Sequence, residues 1–311
     1  MSGDDAAHPR ERGSSEESRG AVLAALAANV SIAIAKAVAF AITGSVSMLA
    51  ETFHSVADSG NQGLLLVGRW RGGQPADEDH PFGHGGERYF WGFVVAVLLF
   101  ALGSLFALLE GEEKLRHPHD PGSPVAPLVV IGLAFVFEGL SLVKAVRTAR
   151  REPGSRPWFR FIHRTKNAEL PVVLLEDSGA LVGLVFAAVG IVLADVTGNA
   201  RFDALGSLAI GLLLGVIAIT LAIEMKSLLV GESATPEAID ALSRALRSTP
   251  GVSELRSLQT LQLGPEELLV TAEIRLERTG SVDDAVGVVA DATRRAREAA
   301  GGRSHVHVTP A

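Results

Sequence analysis

Histidines and carboxylates are the side chains here that can hold a metal ion or carry a proton, and they gather in a few places. His54 and Asp58 lie four residues apart in Ser45-Val46-Ser47-Met48-Leu49-Ala50-Glu51-Thr52-Phe53-His54-Ser55-Val56-Ala57-Asp58, inside an apolar run. On a helix that spacing puts them on one face, one turn apart. An imidazole and a carboxylate so placed can hold one divalent cation together. The competing reading is that Asp58 caps or kinks the helix while His54 hydrogen-bonds a neighbour. Glu176 and Asp177 stand near the start of another apolar run. On a helix they point about 100° apart, so at most one faces a shared partner squarely. If Asp177 faces His54 and Asp58, the three form a mixed nitrogen and oxygen site, with Glu176 or a water as the completing donor. Alternatively Glu176 pairs with a loop arginine and Asp177 with a helix end.

Between these lies Asp77-Glu78-Asp79-His80-Pro81-Phe82-Gly83-His84-Gly85, with two histidines and three carboxylates within eight residues. Glycine and proline shape the turn, and the density of donors reads as a metal loop; the alternative is a polar loop with incidental histidines. Near the C-terminus, His305 and His307 share a face of an expected last strand, as a metal pair or as solvated side chains. Lys36 and Glu138, single charges in apolar runs, pair across a bundle or line a polar path. Glu51, one turn before His54, is either a supporting partner or a packing residue.

Composition narrows the chemistry. The sequence has no cysteine, which excludes thiolate metal sites, disulfides and cysteine catalysis. No basic stripe with interleaved aromatics is present, so nucleic acid is not an expected partner. An intramembrane metalloenzyme with Glu176 as base is a conceivable rival, but the sequence has no H-E-x-x-H helix to support it. Hydrophobic residues make up 48% of the 311, and the net charge of −7 is concentrated in the N-terminal tail and the C-terminal third. The mean hydropathy of +0.30 is high for a soluble protein.

The elements that must position these groups are long helices. Six apolar blocks run approximately over Ala21–Ile42, Val46–Gly68, Tyr89–Leu109, Val125–Ala145, Leu170–Leu193 and Ala204–Leu229. Each has about the twenty residues that span a bilayer. Arginine and lysine crowd the second and fourth loops (Arg69, Arg71 and Arg88; Lys144 through Lys166), which places both termini in the cytoplasm. The basic run of the fourth loop also suits anionic membrane lipid. Residues 1–19 are polar, lack a signal-peptide pattern and read as a disordered cytoplasmic tail. From 231 to 311 the pattern is helix, strand, strand, helix, strand, a small cytoplasmic α/β domain small enough to favour dimerisation. The expected fold is an α-helical membrane protein: a six-transmembrane-helix bundle over 20–230, followed by that ferredoxin-like, metallochaperone-like domain.

The motif around His54 and Asp58, followed in order by the Asp77–Gly85 loop, six spans and a small C-terminal domain, resembles the cation diffusion facilitator family, the SLC30-type zinc transporters. Val172-Val173-Leu174-Leu175-Glu176-Asp177 and Thr197-Gly198-Asn199-Ala200-Arg201-Phe202-Asp203-Ala204-Leu205-Gly206-Ser207-Leu208 look most like the branch of the ninth mammalian zinc transporter. The resemblance implies a homodimer in the cell's inner membrane that exports divalent metal, commonly Zn2+, in exchange for protons. It implies a transport site where spans two and five face each other, with His54, Asp58 and Asp177 at ligand positions. The family's fourth ligand lies four residues before the span-five aspartate; here that residue is Val173, which has no donor, and Glu176 is the candidate substitute. By the same resemblance Asp77, His80 and His84 form a loop site, while the C-terminal cluster retains only His307 and His305, so that domain is expected to serve dimerisation. A set of one imidazole and carboxylates also suits Mn2+, Fe2+ or Co2+. Loss of a ligand at Val173 leaves a metal-responsive sensor or scaffold as the alternative function.

Overall fold

The computed structural model describes residues 30–31, 33–35, 37–38, 41, 46–118, 124–149, 165–167, 169–277 and 281–311; the side chains of 46–55, 57–58, 99–100, 126 and 148–149 lie outside that description. The expected tail and most of the first block fall outside the described residues. So do Lys36 and most of the basic run.

Runs of apolar residues without interior breakers become long helices, because an unpaired backbone amide is costly wherever water is excluded. Helix α1 covers Val46–Gly72. Helix α2 (Glu87–Val95) passes through a π-helical segment, Ala96–Phe100, into α3 (Ala101–Arg116). Helices α4 (Val125–Ala149), α5 (Glu169–Thr197) and α6 (Arg201–Val230) follow. Among the described residues, four helical stretches are long and apolar enough to cross a membrane: Glu87–Arg116, Pro127–Arg147, Glu169–Thr197 and Arg201–Val230. Several run past the apolar blocks because charged side chains at their ends are paired. Lys114 bonds Glu110 and Asp203, each at 3.1 Å, and so extends the third block to Arg116. Pro171 is tolerated in the first turn of α5, where its missing N–H has no intrahelical partner to lose. Gly231 ends α6 at φ +113°, a backbone conformation that side-chain-bearing residues rarely adopt.

Helix α6 packs between the α2–α3 rod and α5, and α5 packs between α6 and α4. Glycines set the crossings. A Cβ on Gly111 would come within 2.8 Å of Leu208, and one on Gly211 within 2.7 Å of Leu108. At the α5–α6 crossing, a Cβ on Gly190 would lie 3.0 Å from the Phe202 carbonyl. Phe106, Phe137, Leu140, Leu212 and Ile219 point away from the protein interior with more than half their surface exposed, as lipid-facing side chains do.

The chain divides into two compact units, Met1–Leu66 and Val67–Ala311, with the division inside α1. The packing above belongs to the second unit. So does the C-terminal domain, in the order α7 (Pro236–Arg247), β1 (Val252–Gly264), β2 (Glu267–Leu276), α8 (Val282–Ala300) and β3 (Arg303–Pro310). Strand β2 is central, antiparallel to β1 and parallel to β3. Thr235 caps α7, with Pro236 in its first turn, and Ser281 caps α8 by accepting the Asp284 amide. Leu242 and Leu246 of α7 and Ala292 and Ala296 of α8 close over Val270, Ile274 and Val306 to form the core.

Candidate metal centre

The loop after α1 is built by local bonds. The His80 amide donates to Asp77 Oδ1 at 2.6 Å, and the Asp77 amide returns to the His80 carbonyl at 3.2 Å. The Gly83 amide donates to the same carbonyl at 2.9 Å, and φ of +87° at Gly83 turns the chain back. These bonds bring the two imidazoles together, with ring centroids 4.2 Å apart. Asp77 lies against both: its Oδ1 is 3.3 Å from His80 Nδ1 and its Oδ2 is 3.0 Å from His84 Nε2. The His80 backbone N–H, then the His84 side chain, hold the Asp77 carboxyl below its usual range, in the ionised form a metal requires.

One donor atom from each of Asp77, His80 and His84 lies within 4.8 Å of the others. Bonds of about 2.0–2.2 Å around a tetrahedral ion set donors about 3.3 Å apart, so a contraction of this triad would bring its donors to the spacing one ion requires. Asp77 and His80 are exposed and His84 is half-buried, leaving a side open for entry. Glu78 and Asp79 are exposed and are not part of the triad.

The loop rests on the C-terminal domain. Phe82 meets His305 edge to face at 5.3 Å between centroids. Gly85 approaches the β1–β2 turn so closely that a Cβ there would lie 2.9 Å from Gly264 Cα. Among the described residues the three loop side chains are the sole group of three metal-capable donors. His305 and His307 are on one face of β3, opposite Leu269 and Thr271 of β2. His305 is half-buried and His307 exposed.

His54 and Asp58 stand on α1, but their side chains lie outside the described residues. Asp177, in the third turn of α5, is only 7% exposed, and Ser141 of α4 donates a hydrogen bond to its Oδ2 at 2.9 Å. Glu176 is half-buried beside it. Val173 packs with Leu142 and Val146 against Ala145, Leu170 and Leu174.

Two contacts escaped sequence reasoning. Ser141 is a lone hydroxyl in an apolar run, with nothing in its own sequence neighbourhood to mark it. Arg69 and Arg88 read as charges that orient the bundle, yet both bond Glu169, the first residue of α5. Arg88 Nη2 reaches Glu169 Oε1 at 2.8 Å and Arg69 Nε reaches the same oxygen at 3.2 Å. A lone glutamate immediately before an apolar run was the available signal.

Long apolar helices, a carboxylate buried among them and a loop with three metal-capable donors define a membrane protein. The chain belongs to the cation efflux family: residues 22–230 match the cation efflux transmembrane domain. It is 31% identical over 271 residues to the mitochondrial proton-coupled zinc antiporter SLC30A9 of Homo sapiens, covering 86% of this chain and 48% of that protein. It is 31% identical over 261 residues to metal tolerance protein C4 of Arabidopsis thaliana, covering 83% of this chain and 57% of that protein. The cation-efflux pump FieF of Serratia proteamaculans is 30% identical over 273 residues, covering 86% of this chain and 82% of the pump. The chain spans about half the length of the zinc antiporters it matches.

Proposed function

We propose that the protein exports divalent metal cations, Zn2+ foremost, across a membrane in exchange for protons, as a secondary transporter and not an enzyme. The observation that carries the reading is Asp177, a carboxylate only 7% exposed within an apolar helix of a cation efflux protein. An ionisable group at such a place is costly unless it is used. In this reading the transport ligands are His54, Asp58 and Asp177, with Glu176 standing in for the donor that Val173 lacks. Metal needs neutral imidazole and ionised carboxylates, so binding releases protons and protonation expels metal. His54 is the proton carrier, because imidazole titrates nearest neutral pH. Helices rock about the site and open it to one side at a time.

The wider architecture proposed is six spans over 20–230 and a ferredoxin-like cytoplasmic domain over 231–311, with both termini cytoplasmic. The protein acts as a homodimer in the cell's inner membrane, with the C-terminal domain joining the copies and Asp77, His80 and His84 holding a further ion in the loop. The packing of Val173 into an apolar seam favours one second reading, a sensor that binds metal without moving it.

Metal uptake into proteoliposomes, with and without a pH gradient, tests the proposal across Zn2+, Mn2+, Fe2+ and Co2+. Gradient-driven Zn2+ flux that disappears in His54→Ala supports it, and undiminished flux in that variant sinks the assignment of His54. Flux of another metal alone reassigns the cargo. Binding without flux of any metal selects the sensor.

A further inference from the structure

We propose that Ser141 of α4 is a positioning residue of the transport site that acts through Asp177; this rests on the reading of Asp177 as a metal ligand. The family-type ligand positions lie on α1 and α5, and Ser141 brings in a third helix. Its hydroxyl donates to Asp177 Oδ2 at 2.9 Å. A carboxylate rotates about its last bond, and a hydroxyl held against one oxygen sets the plane of the group and so the direction of the other oxygen.

The turn of α4 that carries the hydroxyl is packed against α5. Ser141 and Ala145 are four residues apart and share a face of α4. Ala145 is buried with Leu170 and Leu174, and Val173 packs against that cluster together with Leu142 and Val146. The valine that deprives the site of a donor thus joins the apolar seam that holds α4 to α5 about one turn from Ser141. A hydroxyl bound to one carboxylate oxygen competes with metal there and so favours one-oxygen binding through the other. One-oxygen binding suits a small four-coordinate ion such as Zn2+ over an ion of higher coordination number such as Mn2+. Ser141 therefore sets preference as well as affinity.

The test is calorimetric titration of the full chain in lipid nanodiscs with Zn2+ and with Mn2+. All proteins carry Asp77→Ala, His80→Ala and His84→Ala so that the loop binds nothing. Ser141→Ala is expected to weaken Zn2+ binding about 10- to 100-fold, the usual effect of removing a partner of a metal ligand. Mn2+ binding changes less, so the preference for Zn2+ narrows. Ser141→Thr, which keeps the hydroxyl, restores both, and Asp177→Asn loses the site. Unchanged affinity and preference in Ser141→Ala, with Asp177→Asn inactive, overturn the proposal. Equal losses in Ser141→Ala and Ser141→Thr also overturn it, because packing and not the hydroxyl would then be responsible. Wild-type binding by Asp177→Asn is a separate result that removes Asp177 from the ligand set.

Discussion

Replacing Glu169 with Gln leaves two guanidinium groups facing a neutral amide at the start of α5. Glu169 and Arg88 are 16% and 15% exposed, whereas Arg69 is 40% exposed. At an effective dielectric of about 20, unit charges about 4 Å apart attract by about 4 kcal/mol. Breaking a buried pair by removing one partner costs about 3–5 kcal/mol. The more exposed Arg69 adds only about 0–1 kcal/mol, and the new amide keeps one acceptor oxygen, so the expected loss is about 3 kcal/mol. At about 2 °C per kcal/mol for a body of this size, the thermal midpoint of the purified protein falls by about 6 °C. Tryptophan emission reports it directly, since Trp70 follows Arg69 and Trp91 bonds Glu87 within the same helix as Arg88. Because Arg88 and Glu169 are largely shielded from solvent, raising the salt to about 0.5 M changes the difference little. Pairing Arg88→Met with Glu169→Leu recovers most of the loss, as apolar replacement of a whole buried pair often does. A Glu169→Gln midpoint within about 1 °C of the parent refutes the view that this carboxylate clamps α1, α2 and α5.

Other consequences are as specific. His84→Ala removes one of three loop donors, and titration with Co2+ should show one fewer ion bound per chain with the fold intact; unchanged stoichiometry disproves the loop site. Gly85→Ala puts a Cβ 2.5 Å from Glu267 Oε2, and overpacking of this kind costs about 1–3 kcal/mol; faster proteolysis within 73–86 checks whether the loop leaves the β1–β2 turn. Burial pushes the Glu232 carboxyl up, but bonds from Lys166 and Ser227 outweigh it and hold the group below its usual value of 4.5. The stability this contributes is fully present above about pH 4.5 and is lost as pH falls through the lowered value. Lys166→Ala should abolish that acid dependence of amide exchange around Gly231, and an unaltered profile contradicts the pairing. Leu242→Ala empties a fully buried site and should cost about 2–5 kcal/mol in unfolding of the C-terminal domain.

What could be read without coordinates was local. The Asp77–His84 cluster spans eight residues, so short turns alone bring its donors together. Thr235-Pro236 and Ser281 announce their helices because a cap needs only its own first turn. The order of helices and strands after residue 231 followed from period and punctuation, as did the apolar lengths of α4, α5 and α6. Their ends were less legible: whether Lys114 sits at a helix end or continues the helix depends on Asp203, 89 residues later. The sequence therefore determined which residues carry donors of the kind a metal needs, which segments are apolar and which helices and strands form after residue 231. Tertiary structure alone decided that Ser141 bonds Asp177 across 36 residues, and that Arg69 and Arg88 share Glu169 across 100 and 81. It also decided that Phe82 seats the Asp77–His84 loop on His305. The physical reason is that a polar or aromatic side chain needs a partner, but local periodicity does not say which distant helix or strand supplies it.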